Sequence, residues 1–98
     1  MKEKRTYTFV LWPKLSVAGP PGEKHLCQLF CSLAKAAMEE DYPKRLEAMQ
    51  KAQNDLYASG LAEAVVVAVS RNLLAMVEAR NDGRVCSWEY RLTLKEEA

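Results

Sequence analysis

Residues 5–17, RTYTFVLWPKLSV, alternate between apolar and polar positions. Tyr7, Phe9, Leu11, Leu15 and Val17 share one face, and Thr6, Thr8, Val10, Trp12, Lys14 and Ser16 share the other. A period of two predicts a strand with one face on a core. Pro13 has no N–H to give to a ladder, so the strand is expected at a sheet edge, with a kink or bulge at the proline.

The period then changes. Across residues 23–40, Leu26, Phe30, Leu33 and Ala37 recur at helical spacing, with Lys24, Gln28, Ser32, Lys35 and Glu39 opposite. Asp41-Tyr42-Pro43 interrupts the pattern, with Asp41 suited to cap a following helix and Pro43 to its first turn. A narrower stripe of Leu46, Met49, Gln53 and Leu56 or Tyr57 predicts a second, outer helix over 43–59, with Gly60 closing it.

Residues 61–80, LAEAVVVAVSRNLLAMVEAR, carry two signals. The valines favour strand, whereas Leu61, Val65, Ala68, Asn72 and Met76 keep helical spacing among strong helix formers. A hairpin turning at Ser70-Arg71-Asn72 is the rival, but Arg-Asn supplies neither residue order favoured in tight hairpins, so one largely buried helix is expected. RNDG at 80–83 reads as a turn into a last strand, about 84–95, with Cys86, Trp88, Tyr90, Leu92 and Leu94 inward. The expected fold is a single α+β domain over 1–98. A small antiparallel sheet, its first strand at about 5–17 and its last at about 84–95, packs against two or three helices (23–40, 43–59 and 61–80). A sheet that small leaves edges open to a second copy or a partner chain.

Composition narrows the function classes. The 98 residues contain 14 Lys plus Arg and 13 Asp plus Glu, for a net charge of +1. A dedicated nucleic-acid binder usually shows a marked positive field, so nucleic acid is a disfavoured partner. No apolar run approaches the roughly 20 residues that span a bilayer, and the N-terminus lacks a signal-peptide pattern, so no membrane contact and a cytoplasmic location are expected. Three cysteines, an odd number, argue for reduced thiols rather than a disulfide framework.

The loop AGPPGEKH at 18–25 superficially suggests a phosphate cradle. Its glycines are separated by two prolines, which lack the N–H groups a cradle needs, and Lys24 is followed by His25. It reads as a turn. Cys27 and Cys31 have ligand spacing, but tetrahedral zinc wants four ligands and His25 lies about 200° around the helix from Cys27, so no metal site is expected. Glu39, Glu40 and Asp41 point in different directions at a helix end, without calcium-loop spacing. With one histidine, no nucleophile motif and no cofactor motif, catalysis is disfavoured and no cofactor is expected.

Trp12 and Val10 stand out as apolar residues on the outward face of the first strand. Interface hot spots favour Trp, Tyr and Arg. The expected function is therefore a non-enzymatic module binding a partner protein, itself, or both, through the exposed face and edge of that strand. Val10, Trp12, Lys14, Tyr57, Arg84 and Arg91 are its candidate contacts. An alternative is a small RNA or single-stranded DNA binder using Trp12 with Arg84 and Arg91. Arg pairing with Glu78, Asp82 and Glu89 is the simpler use of those arginines. In size and strand–helix–strand order, though in no motif, the chain resembles small accessory proteins of temperate bacteriophages. That resemblance implies binding to, and modulation or inhibition of, a host enzyme.

Overall fold

A computed structural model describes residues 4–84 and 88–95. The elements run β1 (Lys4–Val10), β2 (Ser16–Ala18), α1 (Lys24–Ala37), α2 (Tyr42–Ala58), α3 (Glu63–Asn81) and β3 (Glu89–Lys95). The strands form one antiparallel sheet ordered β2-β1-β3. This is the expected α+β fold, with the helices on one face of the sheet.

The long first strand of the sequence reading is two strands. The chain reverses between Val10 and Ser16, through a cis Trp12–Pro13 peptide, so that Phe9 lies opposite Val17 and Val10 opposite Ser16. β1 is consequently the central strand, flanked on both sides, and the expected edge position is corrected. Pro13 sits in the reversal, outside any ladder, and so places no limit on where β1 lies.

The inward face of β1 is as expected. Tyr7, Phe9 and Leu11 are buried, and both aromatic rings meet Phe30 of α1 edge-on, at 5.2 and 5.3 Å between centroids. Such pairs add about 0.5–1.5 kcal/mol beyond area burial. On β3, Leu94 is buried and Tyr90 and Leu92 are half-buried. Alternation places Trp88 inward, but it is 45% exposed, because it precedes the strand proper and sits at the rim beside Trp12 and Arg80. Cys86 and the expected start of this strand at 85–87 lie outside the described residues.

α1 buries Leu26, Phe30, Leu33 and Ala37, as its spacing predicts. Asp41 caps α2, its Oδ2 accepting from the Lys44 N–H at 3.2 Å. At the other end, Gly60 adopts φ +96, Gly60 N–H bonds Tyr57 O (3.0 Å) and Leu61 N–H bonds Leu56 O (3.3 Å). That pair of bonds is a Schellman closure, with Leu61 and Leu56 as its apolar partners. The buried line of α2 is Met49, Ala52 and Leu56, while Leu46 stays 52% exposed.

Residues 63–81 are one helix, which settles the helix-or-hairpin alternative. Its buried line is Val66, Val69, Ser70 and Leu73 rather than the expected line through Ala68 and Asn72, both of which are exposed. With apolar residues on nearly every face, this helix fixes its orientation only by packing. Ser70 is accommodated because its hydroxyl donates to Val66 O (2.8 Å) and accepts from Gln53 Nε2 (2.9 Å).

The proline loop is a turn. Glu23 N–H bonds Pro20 O at 3.2 Å, with Pro21 and Gly22 (φ +85) between them, the residue order of a type II turn. It delivers Glu23 to Arg5 on β1, Oε1 to Nη1 2.9 Å.

Candidate functional site

An aromatic and arginine cluster forms where the β1–β2 reversal meets the end of α3. Beyond Leu11 the chain leaves the sheet, and the Leu11 N–H bonds Trp88 O at 3.3 Å. This bond brings the residues next to it together, and the Trp12 and Trp88 rings meet edge-on at 5.5 Å. Arg80, in the last turn of α3, lays its guanidinium 4.5 Å from the Trp12 centroid and 5.7 Å from the Trp88 centroid. Trp12 thus does not share the outer face with Val10, as alternation predicts; it is half-buried at the end of the sheet, packed against the core.

Arg80 is exposed and has no carboxylate partner or side-chain hydrogen bond among the described residues. It sits against both indoles, and its N–H donors are not spent on any side chain among the described residues. A hollow of about 350 Å³ is lined by Trp12, Pro13, Arg80 and Trp88. A second, of about 640 Å³, shares Trp12 and Arg80 and continues past Val77 and Met38 to Glu39, Glu40 and Arg45. Apolar walls, a free guanidinium fork and two nearby carboxylates can hold an amphipathic chain segment. Among the described residues no nucleophile–base pair lines either hollow.

Of the residues singled out from sequence, Trp12 belongs to this cluster and Lys14 lies exposed in the adjoining reversal. Val10 is half-buried on the outer sheet face, opposite Glu89. Arg91 is on that face too, with its Nε 2.8 Å from Glu89 Oε1. Arg84 pairs with Asp82 at 3.1 Å, so both arginines take the simpler, ion-paired role. Tyr57 is remote: α2 begins beside the cluster at Arg45 and carries Tyr57 about 18 Å further along its axis. Sequence reasoning missed Arg80 as a partner of Trp12 and placed Trp88 inside. The signal for both was present, since Trp88 lies just ahead of a strand and Arg80 in the last turn of a helix, where side chains reach around domain rims.

The thiols and the buried phenol do not build a competing centre. Burial, with help from Glu23, pushes the Cys27 thiol above its ordinary range, the reverse of an activated nucleophile. Burial likewise raises Tyr7, whose hydroxyl leans toward Glu23 without a hydrogen-bond partner among the described residues. Among those residues no group of three or more His, Cys, Asp or Glu is placed to hold a metal ion, and no helix is long and apolar enough to cross a membrane. Comparison with protein-family models, curated proteins and solved structures gives no match for this chain.

Proposed function

We propose that this protein is a non-enzymatic binding module that docks a partner protein on the Trp12–Arg80–Trp88 face. The observation that carries the reading is an exposed arginine held against two indoles, with no carboxylate partner or side-chain hydrogen bond among the described residues. Holding a long cation in place beforehand lowers the ordering cost of binding. Trp and Arg, moreover, are the residue types that dominate interface energetics. The matching partner surface carries an acidic group for the Arg80 fork beside an apolar side chain for the Trp12–Pro13–Trp88 hollow. The strand edge named in the sequence reading plays no part, because β1 is interior to the sheet.

The test is affinity capture from a lysate, followed by titration of the purified captured protein against wild type, Trp88→Asp, Arg80→Glu and Tyr57→Asp. Trp88 and Arg80 are exposed, so their substitution leaves the fold intact by circular dichroism. Binding is expected to fall at least tenfold for both and to be unchanged for Tyr57→Asp. Equal binding by all four proteins overturns the proposal. So does retention of only nuclease-sensitive material whose binding weakens steeply as salt rises, which is the nucleic-acid reading.

A further inference from the structure

Among the described residues, one long border of the sheet has no neighbouring strand. β2 is three residues long, but β3 presents seven, and no strand among the described residues pairs with its outer side. The backbone phase of that border follows from one hydrogen bond. Leu11 N–H bonds Trp88 O, so Trp88, and with it Tyr90, Leu92 and Leu94, turn their main-chain groups toward β1. Alternation along an antiparallel strand then sends the N–H and C=O groups of Glu89, Arg91, Thr93 and Lys95 outward.

We infer that β3 is the contact between two copies of this chain, paired antiparallel about a two-fold axis through Leu92. The charge pattern selects that register. It sets Glu89 of each copy opposite Lys95 of the other, Arg91 opposite Thr93, Tyr90 opposite Leu94, and Leu92 opposite itself. All four outward-facing backbone positions are then matched, and the half-buried Tyr90 and Leu92 meet apolar partners on the helix-covered face. Slipping by two residues in either direction sets Arg91 against Arg91, or Arg91 against Lys95, and like charges directly opposed are destabilising. Slipping by one opposes backbone groups already bonded to β1.

A further feature favours the same arrangement. Within one chain Lys95 stands opposite Lys4, a like-charged cross-strand pair. A second copy places the Glu89 carboxylate, which Arg91 Nε also contacts within its own chain, on the other side of Lys95 and offsets part of that repulsion. Pairing two three-stranded sheets also removes the exposed edge that makes so small a sheet prone to unselective pairing. This contact is separate from the Trp12–Arg80–Trp88 face, and either stands without the other.

The test is light scattering and sedimentation of the full chain at about 100 µM, well above a micromolar dissociation constant. The expected mass is twice the 11.1 kDa of one chain. Glu89→Lys and Lys95→Glu should each weaken association about tenfold or more, since each reversal creates two like-charge pairs per dimer. The double reversal, Glu89→Lys with Lys95→Glu, should restore part of it, the remainder being lost with the Arg91–Glu89 ion pair inside each chain. Amide exchange supplies a readout on unaltered protein: the Arg91 and Thr93 N–H groups should gain protection as concentration rises, while Tyr90 and Leu92 are protected throughout. A wild-type chain of single mass at that concentration overturns the inference. So does a dimer indifferent to both reversals, one that the double reversal leaves no tighter than Glu89→Lys alone, or Arg91 and Thr93 exchange that ignores concentration.

Discussion

The Arg80 guanidinium carbon lies 4.5 Å from the centroid of the Trp12 ring. This contact ties the last turn of α3 to the reversal between β1 and β2, two segments far apart in sequence. It gives Trp12 a cover that the strand pattern alone does not supply, and leaves the hydrogen-bonding edge of the arginine in solvent.

Arg80→Ala is expected to cost about 0.5–1 kcal/mol in urea unfolding, the range for an exposed cation–π contact. Tryptophan emission should change with it, because both indoles lose the same neighbour. Arg80→Lys should recover only part of the loss, since an ammonium does not stack as a planar guanidinium does. An unaltered midpoint and spectrum in Arg80→Ala would show that the stack does not persist in solution.

Gly19→Ala tests the packing under the proline loop. A Cβ at this position would sit 2.7 Å from Tyr7 Cδ2 and 2.8 Å from Cys27 Sγ. The Tyr7 ring is wholly buried and has no room to retreat, so destabilisation of about 1–3 kcal/mol is expected. Adding Cys27→Ala removes one of the two obstructions and should return part of the stability. Additive losses in the double variant would place the strain elsewhere.

Stability should decline on the alkaline side. Burial raises the folded-state pKa of Cys27 above its ordinary 9.0 and that of Tyr7 above its ordinary 10.0. The folded chain therefore holds both protons more tightly than the unfolded chain does. The contribution is complete below about pH 9 and is lost as pH rises through each folded value. Cys27→Ala should flatten the first part of the fall in melting temperature, and Tyr7→Phe the later part. At neutral pH Tyr7→Phe should be neutral or stabilising by about 1 kcal/mol, because it deletes a buried hydroxyl that has no hydrogen-bond partner among the described residues.

Asp41→Ala should cost about 1 kcal/mol by releasing the Lys44 N–H at the start of α2. Asp41→Asn should retain most of the stability, as the amide oxygen accepts the same bond. Equal loss in both variants would mean that charge, rather than the cap hydrogen bond, is what matters there.

The sequence by itself determined the local elements. Helical spacing at Leu26, Phe30, Leu33 and Ala37, the Asp41 cap, the Gly60 closure and the Pro21-Gly22 turn are each fixed within a few residues by sterics and hydrogen bonding. Alternation likewise assigned Tyr7, Phe9 and Leu11 to the core. It could not distinguish one long strand from a hairpin, because residues opposite each other in an antiparallel pair lie on the same face. Phe9 faces Val17, both odd-numbered, so the period of two runs through the reversal unbroken. Only the tertiary structure decided that β1 is central, which line of α3 is buried, and that Arg80 meets Trp12. Strand order, the orientation of a helix apolar on most faces, and contacts between segments distant in the chain depend on which surfaces pack together, and no local pattern carries that information.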